Sequence, residues 1–185
     1  MKGVFGGNFD PVHIGHLILA MDAIRLLELE KVLFIPAFKS PFKEDFTSTP
    51  FEHRYKMLEL ATKDKSFFQV LDIEGKRKGI SYTYDTLKEL KQKGEELCLL
   101  IGEDQAVEFH RWYRWKEILK MVDVFVLRRK KDPKKYPEGL KDLKSRTIEI
   151  SSAEIRDSIR MGKPVDFLLL DKVLKYIRKH NLYKE

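Results

Sequence analysis

The sequence predicts an α/β fold: a doubly wound, mostly parallel sheet of five to six strands with helices on both faces. Short apolar runs alternate along the chain with longer segments in which apolar residues recur every three to four positions. Continuous apolar runs are typical of parallel strands that are buried on both faces. Strand, helix and strand follow one another within the first 36 residues, which predicts a right-handed βαβ unit. Together these observations indicate a Rossmann-like domain.

One domain is expected, spanning residues 1–185, with a small helical C-terminal part at about 151–185. Hydrophobic residues make up 43 % of the chain, which is enough to fold rather than stay disordered. The formal net charge of +7 favours an anionic partner, such as nucleic acid, acidic lipid or nucleotide phosphate. Because the N-terminus lacks a signal-peptide pattern and no apolar run has the length of a membrane span, a soluble cytoplasmic protein is expected.

The first elements follow from glycine, proline and apolar spacing. Residues 2–5 end at two glycines, which predicts a short strand. From residue 14 to 27 the apolar side chains share one helical face. Residues 32–35 are a continuous apolar run that Pro36 stops, which predicts a second buried strand. Residues 37–48 have no period and are predicted to be a loop.

A helix start signal follows this loop. Thr49 is a predicted N-cap, Pro50 suits the first helical position, and Glu52 completes a capping box. The predicted elements after this helix are a strand over residues 67–73, a charged turn over 76–79 and a helix over 84–90.

The pattern of a buried strand returns at residues 97–101 and ends at Gly102. This run contains the lone cysteine, Cys98, which is predicted to be a core residue. The predicted elements after it are a helix over 112–121, strands over 124–127 and 147–150, and helices over 153–161 and 165–180.

Gly6 and Gly7 stand where the first strand meets its helix, at the end of a parallel sheet where ligands bind. Glycine allows backbone N–H groups to approach an anion closely, and the positive end of the helix would face the same space. His13 and His16 are one helical turn apart, so both imidazoles would point there. The stretch GGNFDPVHIGH therefore indicates a phosphate site. A zinc half-site or two surface histidines are the alternatives, although no further zinc ligands are evident.

Several segments resemble the signature motifs of bacterial nicotinate-nucleotide adenylyltransferases. GGNFDPVHIGH is similar to that family's G-G-x-F-D-P-x-H-x-G-H. The segment SYTYDTL, residues 81–87, is similar to S-Y-T-x-x-T-L, and IGED with Trp112 downstream resembles G-x-D…W. ISSAEIR, residues 150–156, resembles I-S-S-T-x-I-R. The resemblance covers nearly the whole chain in order, and it implies a nucleotidylyltransferase fold.

The resemblance also implies a reaction. ATP and nicotinate mononucleotide would give nicotinate adenine dinucleotide and pyrophosphate, in the synthesis of NAD. The 5′-phosphate of the mononucleotide would attack the α-phosphorus of ATP directly, so no covalent enzyme intermediate is expected. Mg²⁺ is the expected cofactor, bound mainly through the ATP phosphates rather than by a metal site of the protein.

Carried over residue by residue, the resemblance assigns catalytic contacts to His13, His16, Lys43 and Arg156. The residues expected to bind ATP are Gly6, Gly7, Phe9, His13, His16, Gly102, Asp104, Arg128, Ser151, Ser152 and Arg156. Those expected to bind the mononucleotide are Gly7, Asn8, Lys43, Tyr82, Thr83 and Trp112. The chain departs from the family pattern at Ala153, where a Thr is usual, so a phosphate contact of that hydroxyl would have to come from Ser151, Ser152 or backbone N–H groups.

The residues by themselves leave plainer interpretations open. Ser151 and Glu154 form a capping box that many helices carry, and Trp112 could be a half-buried residue at a helix start. Related adenylyltransferases that use nicotinamide mononucleotide or phosphopantetheine are alternative functions. A basic nucleic-acid-binding module is a more distant alternative, since no nucleic-acid-binding motif is evident. Small-molecule substrates are thus the expected partners, with neither nucleic acid nor membrane, and self-association into a homo-oligomer stays open.

Overall fold

The computed structural model describes residues 1–41, 49–128 and 135–184. Within these ranges six strands form one sheet in which every neighbouring pair is parallel, in the order β3-β2-β1-β4-β5-β6. The strands are β1 (Lys2–Gly7), β2 (Lys31–Pro36), β3 (Phe68–Val70), β4 (Leu97–Gly102), β5 (Asp123–Leu127) and β6 (Leu140–Leu143). The predicted doubly wound α/β fold is confirmed.

Helices connect the strands and cover both faces of the sheet. They are α1 (Ile14–Leu27), α2 (Phe51–Thr62), α3 (Ile73–Arg77), α4 (Thr83–Gln92), α5 (Glu103–Val107), α6 (Trp115–Met121), α7 (Ser152–Arg160) and α8 (Asp171–Lys179), with a 3₁₀ turn at Phe109–Arg111. Among the described residues, none of the helices combines the length and the apolar character needed to cross a membrane.

Alternate residues of the central strands pack into two separate hydrophobic cores, one on each face of the sheet, because successive side chains of a strand point to opposite faces. On one face, Phe5 and Leu100 belong to a core built with side chains of α1, α2, α7 and α8. On the other face, Val4 and Leu99 belong to a core built with α4, α5 and α6. Cys98 is fully buried in the first core, and burial raises the pKa of its thiol to about 11, so it is a packing residue rather than a nucleophile.

The order of the strands locates the crevice of the fold. The chain builds outward from β1 through β2 to β3, and then returns to the other side of β1 with β4. The direction of winding therefore reverses between β1 and β4, and ligands bind beyond the carboxyl ends of the strands at such a point. β1 ends at Gly7 and β4 ends at Gly102, so both glycines border this crevice.

The prediction of a strand over residues 147–150 is wrong. The sixth strand is β6, whose sequence LKDL includes two charged residues because it lies at the edge of the sheet. Ile148 and Ile150 alternate for another reason: both side chains pack against the first core without pairing in the sheet. A methyl group of Ile148 comes so near α1 that a Cβ at Gly15 would lie 3.0 Å from it.

Several predicted boundaries also differ from the structure. Helix α2 begins at Phe51, and the backbone N–H of Thr49 donates to the Asp10 carboxylate instead of Thr49 acting as the cap. The charged segment predicted as a turn over 76–79 begins inside helix α3, and the predicted strand before it is only three residues long. The helices predicted over 112–121 and 165–180 start later, at Trp115 and Asp171.

Candidate active site

The turn between β1 and α1 is the centre of the candidate site. A Cβ at Gly7 would lie 3.2 Å from the ring of Phe9, so a larger residue at this position would crowd the ring. Phe9 itself is buried and has a left-handed backbone with φ of 49°, which is uncommon for a residue with a side chain. Its ring packs edge-on against Phe5, Phe34 and His16. The packing of the Phe9 ring against these aromatic side chains therefore fixes the conformation of the turn.

His13 and His16 stand together at the start of α1, as their spacing predicts. Their rings stack with centroids 3.7 Å apart and planes 27° from parallel. The Nδ1 atom of His16 accepts a hydrogen bond from the backbone N–H of His13 at 3.2 Å. In the neutral ring the proton of His16 therefore resides on Nε2, which makes that atom a hydrogen-bond donor.

The start of α1 has fewer backbone N–H groups available to bind an anion than the sequence predicts. The N–H of Ile14 donates to the carbonyl oxygen of Leu168 at 2.9 Å, and the N–H of His16 donates to the carbonyl of His13. The N–H of His13 is also occupied, by the ring of His16. Since these backbone donors already have acceptors within the protein, the two imidazoles are the better candidates for contact with a phosphate at this helix start.

A cavity of about 360 Å³ opens above the turn, and we call it the histidine cavity. It lies between the turn and α1 on one side, the end of β4 on another, and the start of α7 on the third. All the residues predicted to bind ATP line it except Arg128: Gly6, Gly7, Phe9, His13, His16, Gly102, Asp104, Ser151, Ser152 and Arg156. Ala153 lines it as well.

Helix α7 is tied directly to the turn. Ser151 caps the helix, because its Oγ accepts the N–H of Glu154 at 3.1 Å, which confirms the predicted cap. The Oγ of Ser152 donates to the carbonyl of Pro11 at 2.9 Å, and Nη1 of Arg156 donates to the carbonyl of Asp10 at 2.7 Å. The positive end of α7 and the guanidinium of Arg156 are therefore held beside the same cavity, where both favour an anion.

A second cavity, of about 140 Å³, lies on the other side of the turn, and we call it the tryptophan cavity. Its lining includes Trp112, Tyr82 and Thr83, together with Gly7 and Asn8. Thr83 is the first residue of α4. The N–H of Asp85 donates to the carbonyl of Tyr82, which leaves the N–H groups of Thr83 and Tyr84 without acceptors within the helix. The cavity combines an aromatic face with a helix start that suits a carboxylate or phosphate.

The two remaining predicted residues have different outcomes. The guanidinium of Arg128 pairs with the carboxylate of Asp142 on β6, through Nε at 2.9 and 3.0 Å and through Nη2. It therefore turns toward the sheet edge and does not line the histidine cavity. Lys43 lies outside the described residues, and its role stays a prediction.

Arg54 is a residue that the sequence does not single out. It is only 1 % exposed, and its guanidinium donates to the backbone carbonyls of Thr49 at 2.7 Å, Asn8 at 2.9 Å and Phe38 at 3.2 Å. Burial lowers the pKa of Arg54, and the nearby charge of Asp10 opposes that shift. Arg54 thus holds Asn8 of the turn to two other segments of the chain.

Asp10 is a second anchor of the turn. Its carboxylate accepts the Tyr183 hydroxyl at 2.7 Å and the N–H of Thr49 at 3.1 Å. Burial raises the pKa of Tyr183, so its hydroxyl stays protonated and remains a donor. This geometry makes Asp10 a positioning residue that is held from the far end of the chain.

Glu74 lies in the wall of the tryptophan cavity and is buried. Its Oε1 accepts the Thr86 hydroxyl at 2.7 Å, and Arg77 donates to the same hydroxyl at 2.9 Å. Burial raises the pKa of this carboxyl. Because Thr86 lies in the first turns of α4, Glu74 fixes the start of the helix that borders the cavity. The sequence places this residue between a strand and a charged turn, where nothing signals its partner.

The described residues contain no group of three or more His, Cys, Asp and Glu side chains arranged to hold a metal ion. The zinc half-site considered from the sequence therefore finds no further ligands among them. The donors around the histidine cavity are imidazoles, a guanidinium, hydroxyls and backbone N–H groups. This set suits a phosphate chain rather than a bare cation.

The sequence of this chain is similar to those of known proteins over most of its length. The profile of the family described as cytidylyltransferase-like matches residues 4–158. A protein of Hydrogenobaculum sp., named "Probable nicotinate-nucleotide adenylyltransferase", is 39 % identical over 182 residues, covering 97 % of this chain and 96 % of that protein. A protein of the same name from Aquifex aeolicus is 41 % identical over 169 residues, covering 83 % of this chain and 100 % of that protein.

A solved structure shares the fold at low sequence identity. It is the Plasmodium falciparum nicotinic acid mononucleotide adenylyltransferase complexed with NaAD, at a TM-score of 0.79 and 19 % identity. The match covers 98 % of this chain and 96 % of that one. At this identity the likeness supports the arrangement of strands and helices, and the two relatives above carry the assignment to a family.

Proposed function

The chain belongs to the cytidylyltransferase-like family, among the nicotinate-nucleotide adenylyltransferases, and on that premise we propose that it transfers the adenylyl group of ATP to nicotinate mononucleotide. The products are nicotinate adenine dinucleotide and pyrophosphate. This reaction joins two nucleotides through their phosphates, so it needs two neighbouring binding sites that meet at one anionic junction.

One observation carries the proposal: the two cavities meet at the turn after β1. Gly6, Gly7 and Asn8 line both of them, with Gln105 on the opposite side. ATP in the histidine cavity and the mononucleotide in the tryptophan cavity would then bring their phosphates together over the glycines. Alignment of two reactants in this way supplies much of the rate enhancement of a direct displacement.

The proposed displacement needs no protein nucleophile. An oxygen of the mononucleotide phosphate forms a bond to the α-phosphorus of ATP, while the bond from that phosphorus to the bridging oxygen breaks and its electron pair leaves with pyrophosphate. His13, His16, Arg156 and the start of α7 surround the space where this leaving group would lie. Their hydrogen bonds would strengthen as negative charge grows on the departing oxygens.

We propose that Mg²⁺ binds together with ATP, mainly through the ATP phosphates. The described residues offer it no cluster of ligands, whereas Asp104 is an exposed carboxylate at the rim of the histidine cavity. Bound to the ATP phosphates, the ion would neutralise part of their charge and make pyrophosphate a better leaving group. The residues of the chain would then hold the phosphates, and Asp104 at the rim would face the ion.

The start of α4 supports nicotinate rather than nicotinamide as the base. Backbone N–H groups near Tyr82 and Thr83 are donors only, so they favour a carboxylate, and the helix dipole adds to this preference.

Free nucleotides of this kind are cytoplasmic metabolites, so we also propose a cytoplasmic enzyme whose partners are these small molecules. Gel filtration would decide whether it assembles into a homo-oligomer.

The proposal is tested by assaying pyrophosphate release with ATP, Mg²⁺ and nicotinate mononucleotide. Parallel reactions replace the mononucleotide by nicotinamide mononucleotide or by phosphopantetheine, with identification of the dinucleotide product by mass. We expect nicotinate mononucleotide to give the highest kcat/KM. Faster turnover of either other acceptor would replace the proposed substrate, and pyrophosphate release with none of them would overturn the proposed function.

Trp112 provides a first test of the tryptophan cavity. The pyridine ring of the mononucleotide carries a positive charge, which is attracted to an aromatic face. We expect Trp112→Ala to raise the KM for nicotinate mononucleotide about tenfold, from the loss of this stacking. The KM for ATP should stay near that of the wild type, because Trp112 does not line the histidine cavity.

The matched control is Trp115→Ala, three residues further along, whose ring packs in the second core and does not line the cavity. Steady-state kinetics with each substrate varied in turn, at a temperature where both variants are folded, provides the measurement. Equal KM values for the mononucleotide in the two variants would show that Trp112 does not stack on the ring.

A further inference from the structure

Gln105 occupies the junction of the two cavities. Among the described residues, those that line both cavities are Gly6, Gly7, Asn8 and Gln105. The first three are the last two residues of β1 and the residue that follows it, and Gln105 faces them from the short helix α5 that follows β4. The crevice between these two strands is the point where the winding of the sheet reverses, so Gln105 is the side chain that closes the junction from the second half of the fold.

The orientation of the Gln105 side chain is fixed by a hydrogen bond. Its Oε1 accepts the backbone N–H of Gly102 at 3.3 Å. Because a backbone N–H can only donate, the oxygen end of the carboxamide must face Gly102 and the NH₂ end must face away from it. Gln105 is half-buried, and it borders both cavities, so this donor group is available to the space between them.

We propose that Gln105 is a further catalytic residue, whose Nε2 donates hydrogen bonds to the phosphate oxygens where the two nucleotides join. The inference rests on the proposed adenylyl transfer. At the junction the attacking phosphate and the α-phosphate are both anionic, and a neutral donor lowers their repulsion. The α-phosphate of the transferred adenylyl group keeps its negative charge on its two non-bridging oxygens throughout the displacement, so a donor placed there stabilises the transition state.

A purely structural role for Gln105 predicts a different result. As a cap, the side chain contributes only the oxygen that accepts the N–H of Gly102. Gln105→Glu retains that acceptor, and a carboxylate in the first turn of a helix is favourable for stability. The same change removes the NH₂ donor and puts a negative charge beside two phosphates. The substitution thus separates the cap from the catalytic contact.

The experiment compares Q105E with Gln69→Glu, which introduces the same charge at an exposed position of β3. We expect both variants to melt near the wild-type temperature. In the pyrophosphate assay Q105E should lose about 50-fold in kcat/KM, as a lost donor and an added like charge predict, whereas Q69E should keep wild-type kinetics. Q105E with wild-type kcat/KM would overturn the inference.

A second variant covers the case in which Q105E fails to fold. Gln105→Met has a similar length but neither an acceptor nor a donor, and it should lower kcat about tenfold, the value of one hydrogen bond to a charged group. Unchanged kcat in Q105M would also overturn the inference. A wild-type protein without pyrophosphate-forming activity would instead refute the proposed function and, with it, the role of Gln105.

Discussion

Replacing His16 by alanine is expected to lower kcat by about 300- to 1,000-fold while leaving the KM for ATP within about threefold of the wild type. The reason is the fixed tautomer of the ring. Because Nδ1 accepts the N–H of His13, Nε2 carries the proton of the neutral ring, and this ring lines the histidine cavity. A donor aimed at the oxygens of a departing pyrophosphate strengthens its bond as the α–β bond lengthens, so its loss affects kcat more than substrate binding.

His110→Ala is the matched control for this prediction, because His110 is exposed and lines neither cavity. Both variants are assayed by pyrophosphate release with ATP and the mononucleotide varied separately, and their melting temperatures are compared. Since His16 also packs against Phe5 and Phe9, a modest loss of stability is expected for H16A. A kcat for H16A within threefold of that for H110A would remove His16 from the catalytic residues.

The parts of the fold that sequence predicts well are those whose pattern is local. Buried strands such as Val32 to Ile35 and Leu97 to Ile101 appear as continuous apolar runs because neighbours cover them on both faces. Strand β6 escapes prediction because it lies at the edge, where Lys141 and Asp142 face solvent. The alternation of Ile148 and Ile150 is real, but its cause is packing against α1 and the first core rather than strand pairing.

The candidate site also has parts that a local sequence pattern predicts and parts that depend on contacts between distant residues. Glycines and histidines at fixed spacing identify the turn, because the residues that form it are consecutive in sequence. Asp10 and Tyr183 are joined by a hydrogen bond across 173 positions, and no local pattern indicates such a pair. Nor does the sequence reveal that the N–H of Ile14 donates to the carbonyl of Leu168. Because this backbone donor is occupied, contact with an anion at that helix start falls to the imidazoles.

Arg54 is the residue whose importance depends most on tertiary structure. Arginine is seldom fully buried in proteins and no sequence motif marks Arg54, yet its side chain on α2 is almost completely buried. Its partners are three backbone carbonyls, which every residue possesses, so no side-chain signal marks them. These bonds join Asn8 of the turn to segments that follow β2 and precede α2, and the guanidinium is the one group that satisfies all three acceptors at once.

Arg54→Met is therefore expected to lower the free energy of unfolding by about 2–4 kcal/mol, because three buried carbonyls lose a charged donor. For a domain of this size the melting temperature should fall by about 5–15 °C. The control is Arg25→Met, in the exposed last turn of α1, which should melt like the wild type. Below its melting temperature R54M should also lose kcat, since Asn8 is no longer held at the junction of the two cavities. Thermal melts of R54M that coincide with those of R25M would contradict the anchoring role, because a guanidinium that fixes the turn cannot be removed without cost.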